Sequence, residues 1–177
     1  IVESIDWAAN RAVISHVEPR TSWLSRPAIA NVSELFVVLS IKHPDFDSAQ
    51  ATRFLLAAEQ TGVQISLIIT KIDLVTDQVL KEYLLRLAAW GYRVFAISTK
   101  TCSGFDDLIN RLMKSKLSVL FGPSGVGKSS FLDYCIKNKS LRIGDLSRKL
   151  MRGRNTTRNV ELFSLGDGAL VADTPGF

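Results

Sequence analysis

Eight residues, Gly122 to Ser129 (GPSGVGKS), constrain the fold of this chain more than any other stretch. They match the pattern GxxxxGK[ST], in which a glycine-rich turn lets several backbone amides converge on one anion. Leu117 to Phe121 (LSVLF) reads as a short apolar strand, and Lys128 onward (KSSFLDYCI) reads as the first turns of a helix. A loop so placed presents its anion to a helix N-terminus, where the dipole is positive. The expected phosphate cradle is therefore Gly122, Pro123, Ser124, Gly125, Val126 and Gly127, continued by Lys128, Ser129 and Ser130. Lys128 is placed to reach the β- and γ-phosphates as the catalytic charge, and the Ser129 hydroxyl to ligate a Mg²⁺ ion.

Such a motif belongs in an α/β sheet, and the rest of the chain supplies one. With 177 residues, 46% of them hydrophobic, the chain is long enough for one well-buried domain. Leu35 to Ile41 (LFVVLSI) is a continuous apolar run, as a strand covered on both faces requires. Asp47 is placed to cap a helix that runs to Thr61 and stops at Gly62, and Val63 to Thr70 (VQISLIIT) is the next strand. Thr76 is placed to cap a second helix, in which Val79, Leu80, Tyr83, Leu84, Leu87 and Ala88 recur at helical spacing and read as core. Arg93 to Ser98 is a third strand, Phe105 to Met113 a short helix, and Val160 to Leu165 with Ala169 to Asp173 a closing pair. The alternation predicts a mostly parallel sheet flanked by helices. Upstream, Ile1 to Trp7 and Arg11 to Val17 read as a hairpin, too small to be stable alone. Glu18 to Asn31 (EPRTSWLSRPAIAN) has no clear period and reads as a linker, which puts a domain boundary near residue 30.

Several function classes drop out. No run of 18 apolar residues exists, so no membrane span is expected. Cys102 and Cys135 lie in unrelated contexts, and His16 and His43 are isolated, which suits ordinary reduced thiols and no zinc site in this chain. The start, IVESIDW, has no features of a leader, so any targeting segment is absent or lies outside. The net charge of +5 is unevenly spread: residues 137 to 158 hold eight Lys or Arg against Asp145 alone. A basic cluster of this kind suits RNA phosphate, although a merely solvated basic face reads the same way.

The phosphate loop does not choose between ATP and GTP. Thr70-Lys71-Ile72-Asp73 (TKID), at the end of a predicted strand, resembles the NKxD guanine motif with Thr in place of Asn. Asp73 can accept hydrogen bonds from the ring amide and exocyclic amine of guanine, a donor pair that adenine lacks. A strand end followed by a capping acid would look similar, but Ser98-Thr99-Lys100 (STK) falls at the next strand end, where a base-binding loop belongs. Asp173-Thr174-Pro175-Gly176 (DTPG) matches the DxxG element, with Asp173 holding a Mg²⁺-bound water and Gly176 sensing the γ-phosphate. Thr156 and Thr157 supply hydroxyls for a switch that closes over Mg²⁺, with Thr157 also a catalytic candidate.

The order is unusual, since the guanine motifs precede the phosphate loop. On TKID, STK, GPSGVGKSS, the GRxTTR stretch and the terminal DTPGF, the chain resembles the circularly permuted GTPases of small-ribosomal-subunit assembly, the RsgA or YjeQ type. The resemblance implies residues 1–30 as a partial OB-like β segment and linker, and 31–177 as the permuted GTPase domain. A zinc-binding C-terminal domain would lie outside this chain. It also implies GTP and GDP with Mg²⁺ as ligands, and the small ribosomal subunit and its rRNA as partners of a monomer. The compartment would be the cytoplasm of a bacterium, or a chloroplast or mitochondrion of a eukaryote. Phe177 stands where many GTPases orient water with glutamine, and Asn155 stands where the family often has histidine, so slow intrinsic hydrolysis is expected. A weakly hydrolysing, GTP-dependent RNA- or ribosome-binding switch is the alternative. A P-loop kinase or ATPase with chance TKID and DTPG is disfavoured, because both motifs lie at strand ends.

Overall fold

The computed structural model describes residues 2–25, 28–137 and 160–174. Its centre is a six-stranded sheet in the order β7-β6-β5-β8-β10-β9. These strands are β5 (Glu34–Ser40), β6 (Gln64–Thr70), β7 (Arg93–Ala96), β8 (Leu117–Phe121), β9 (Glu161–Gly166) and β10 (Ala169–Asp173). All neighbours are parallel except β9, which returns antiparallel beside β10. Ser40, Thr70, Ala96, Phe121 and Asp173 therefore end their strands at one edge, the carboxyl edge.

Every residue of β5 is buried. The pleat splits them: Phe36 and Val38 face one cluster, with Leu108 and Leu112 of α3 (Phe105–Met113) and Phe131 and Cys135 of α4 (Lys128–Lys137). Leu35, Val37 and Leu39 face the other, with Ala51, Leu55 and Ala58 of α1 (Ser48–Glu59). A continuous apolar run is what a strand between two helical layers needs. Helix starts follow the expected caps: Asp47 accepts from the Ala49 and Gln50 amides, and Thr76 from the Val79 amide ahead of α2 (Asp77–Ala88).

Two readings need correction. Of the α2 positions expected in the core, only Leu87 is fully buried; Leu80 and Tyr83 pack partly, and Val79 and Ala88 are exposed. The helix covers the flank of the sheet, so its period is right but its buried face is narrow. The segment 18–31, read as a linker, contains a small ribbon, β3 (Trp23–Ser25) and β4 (Ala28–Ala30). Leu24 and Ile29 from it share the core with Leu35 and Val119, and the Asn31 side chain ties its ends by accepting from the Thr21 amide at 2.8 Å and donating to the Pro19 carbonyl. Three-residue strands are too short for a period to show. The boundary expected near residue 30 thus falls within a segment packed on the sheet.

The upstream hairpin forms as expected, from β1 (Val2–Asp6) and β2 (Arg11–Ile14), with Asp6 accepting from the Ala8 and Ala9 amides in the turn. Both strands are exposed throughout, Val2, Ile5, Val13 and Ile14 included. Among the described residues no helix is long and apolar enough to cross a membrane.

Candidate functional site

Four predicted loops leave the carboxyl edge, and the structure brings them together. β8 runs into the glycine loop, which turns into α4 at Lys128. Gly122 passes so close to β5 that a Cβ there would collide with the Val38 carbonyl. Gly125 takes a φ of +78°, a backbone conformation that favours glycine. Val126 is buried, whereas Ser124, Ser129 and Ser130 are exposed at the loop surface.

The TKID loop reaches this turn directly. Thr70 is buried, and its Oγ1 lies 2.5 Å from the Val126 carbonyl and 3.3 Å from that of Leu39. Lys71, left-handed at φ +60°, donates from Nζ to the Gly125 carbonyl at 2.7 Å and to the His43 carbonyl. Ile72 opens a single turn of 3₁₀ helix and donates its amide to the Ile97 carbonyl, which docks the loop on the β7 end. Asp73 is half-buried, and its Oδ1 accepts from the Ser98 hydroxyl at 2.5 Å. Ser98 in turn accepts from the Lys100 and Thr101 amides, each at 3.2 Å, so the STK loop, Thr99 and Lys100 included, curls around one buried hydroxyl beside the Asp73 carboxylate.

At the phosphate end, Lys128 is buried and its Nζ donates to the Gly122 and Pro123 carbonyls, both at 2.8 Å. Burial lowers its pKa, opposed by the nearby Asp173 carboxylate. The pKa of Asp173 is raised, first by burial, against the pull of Lys128 and a hydrogen bond from Ser129. Ser129 Oγ donates to Asp173 Oδ2 at 3.2 Å, and Asp173 Oδ1 is buried without a partner among the described residues. Thr174 Oγ1 donates to the Leu120 carbonyl at 2.7 Å and fixes the DTPG entry against β8. Thr156, Thr157, Asn155, Gly176 and Phe177 lie outside the described residues. Among the described residues no cluster of three or more His, Cys, Asp or Glu could hold a metal.

Sequence reasoning missed Ser40, Thr174 as a tether, and the loop of residues 41–47. Ser40 had a signal: it is the one hydroxyl in the apolar run LFVVLSI.

The sequence profile of the RsgA GTPase family matches residues 17–177. The chain belongs to the RsgA GTPase family. Relatives named small ribosomal subunit biogenesis GTPase RsgA include one from Prochlorococcus marinus (strain MIT 9303), 54% identical over 99% of this chain and 55% of that protein. Another, from Synechococcus sp. (strain CC9605), is 52% identical over 99% and 58%. Among solved structures, YjeQ from Thermotoga maritima superposes with a TM-score of 0.73 at 28% identity, over 98% of this chain and 58% of that one. YloQ, described as a circularly permuted GTPase, gives 0.67 at 34%, over 92% and 50%. The fold is thus a circularly permuted P-loop GTPase, and the N-terminal hairpin is compatible with the remnant of an OB-like barrel. The chain spans about half the length of these RsgA relatives.

Proposed function

We propose that this chain binds GTP and GDP and that the whole protein hydrolyses GTP to GDP and phosphate during maturation of the small ribosomal subunit. The observation that carries this reading is the junction of the two ends of the site. The guanine loop and the phosphate loop, 54 residues apart in sequence, are tied by Lys71 Nζ to the Gly125 carbonyl, so one nucleotide can span Asp73 and Lys128. Asp73, oriented by Ser98, accepts from guanine, and the Lys71 stem lies along the base. Family membership and the names of the relatives support the biological role.

Chemically, hydrolysis of the γ-phosphate asks the protein mainly for positioning and charge. Lys128 already spans two loop carbonyls and can exchange them for phosphate oxygens without leaving its buried position. A Mg²⁺ ion fits the residues present: Ser129 and Asp173 offer oxygen donors only, which suits a hard cation, and Asp173 Oδ1 is a buried acceptor without a donor among the described residues. When bound, the ion would neutralise charge developing on the β- and γ-phosphate oxygens. Thr156 or Thr157 would close over it, and Gly176 would sense the γ-phosphate.

Phe177 cannot hold the attacking water, so we propose slow turnover alone and stimulation by the small subunit, whose rRNA the basic segment 137–158 would meet. Displacement of labelled GDP tests the site: GTP should compete and ATP should not. GTP turnover with and without small subunits tests the role, and equal rates would refute it.

A further inference from the structure

The loop of residues 41–47, between β5 and α1, belongs to no sequence motif, yet it touches both ends of the nucleotide edge. β5 lies between β6 and β8, so the loop leaving its carboxyl end emerges between the guanine loop and the phosphate loop. Ser40, the last residue of β5, is 3% exposed, and its Oγ donates to the Pro44 carbonyl at 2.7 Å, which folds the loop back over the strand end. His43, left-handed at φ +51°, turns its carbonyl to Lys71 Nζ. The same ammonium donates to Gly125, and Pro44 Cδ lies 3.8 Å from where a Cβ on Gly125 would stand.

We propose that the 41–47 loop is a third wall of the guanine-nucleotide site and that Ser40 is a positioning residue, which sets the place of Lys71 by anchoring that wall. The inference rests on the guanine-nucleotide reading above. A lysine stem is rotamer-rich, and ordering it before the base arrives removes an entropic penalty from binding. Lys71 has three donors, and two are committed to the carbonyls of His43 and Gly125, in two different loops. With the Ser40 tether cut, the His43 carbonyl drifts and Lys71 must be ordered when the nucleotide enters. GTP and GDP share the base, the ribose and two phosphates, so both lose affinity alike. The γ-phosphate chemistry is assigned to Lys128 and Asp173, whose hydrogen bonds among the described residues run to the phosphate loop and Ser129 and not to this wall.

The test uses the whole protein, with fluorescent GDP and a non-hydrolysable GTP analogue for binding, and GTP turnover with small subunits for kinetics. Ser40→Ala should raise the Kd of both nucleotides by about 3- to 10-fold, the equivalent of one hydrogen bond. KM should rise with them, while kcat moves less than about twofold. Ser40→Thr keeps a hydroxyl and should recover most of the affinity. His43→Val, a β-branched residue forced into a left-handed backbone, should weaken binding in the same direction. Wild-type affinity in both Ser40→Ala and His43→Val, or a fall in kcat at unchanged KM, would overturn the inference alone. Failure of the unmodified protein to bind guanine nucleotide would overturn the site assignment with it.

Discussion

Two carboxylates, one at each edge of the same sheet, are treated in opposite ways. Glu34 opens β5 at the amino edge and is 1% exposed; it accepts from Ser66 Oγ at 2.6 Å, Arg111 Nε at 2.7 Å and Ser115 Oγ at 3.3 Å. Asp173, half-buried, closes β10 at the carboxyl edge with a side-chain hydrogen bond from Ser129, a backbone contribution from Thr174 and one oxygen without a partner among the described residues, beside an ammonium that spans loop carbonyls. A folded chain satisfies its buried charges where they serve the fold. At Asp173, where one oxygen has no partner among the described residues, the proposed function assigns the missing partner to the ligand. Ser118 Oγ, the other buried orphan among the described side chains, is a neutral hydroxyl inside β8, and nothing in the structure explains it.

This contrast predicts that the two edges fail differently. Lys128→Ala should cost the nucleotide site the most, about 4 kcal/mol or roughly a thousandfold in GTP turnover, with little change in the ligand-free melting point. Glu34→Ala should do the reverse. Removing one partner strands the Arg111 guanidinium, whose side chain is 23% exposed, and we expect a loss of roughly 3 kcal/mol in a denaturant melt with nucleotide affinity kept by the folded fraction. A Glu34→Ala protein that stays as stable as wild type, or a Lys128→Ala protein that melts far lower, would erase the distinction between the edges.

Asp73 permits a finer cut within the carboxyl edge. Guanine presents two donors to a carboxylate, whereas xanthine replaces the exocyclic amine with a carbonyl. Asp73→Asn should therefore shift preference from GDP toward XDP by about 2 kcal/mol, near 30-fold, measured by competition. Ser98, which donates to Asp73 Oδ1, should hold the carbonyl oxygen of the substituted amide in the same place. Unchanged preference would mean that Asp73 does not read the base.

The sequence made the edge legible because each of its loops sits at the end of an apolar run, and such runs end where strands do. The strands from Glu34 onward, the Asp47 and Thr76 caps and the phosphate loop all follow from local pattern. Contacts that depend on which strands become neighbours were not legible. Glu34 read as the residue before a strand, and its partners Ser66 and Arg111 come from distant segments. Ser40 stood out as the one hydroxyl in an apolar run, but its proposed role, like that of His43, exists only once β5 is seated between β6 and β8. The narrow buried face of α2 and the β3–β4 ribbon likewise depend on tertiary position, not on period.

The smallest expected effect is the most diagnostic, because its sign is opposite to that of ordinary core damage. Burial raises the pKa of Asp173 above the usual carboxylate range, in spite of Lys128 and Ser129. Between that usual range and the raised value, the folded chain therefore holds a proton that the unfolded chain has released. Stability accordingly falls as pH rises through this window and stays lower above it. Asp173→Asn removes the ionisation and should raise the ligand-free stability slightly at neutral pH, while weakening Mg²⁺-dependent GTP binding. The advantage should shrink on acidification and vanish where wild-type Asp173 is protonated in both states, which a pH series of thermal melts measures. If Asp173→Asn destabilises at neutral pH, as Glu34→Ala is expected to do, then Asp173 serves the fold, and the orphaned oxygen does not mark a place for a ligand.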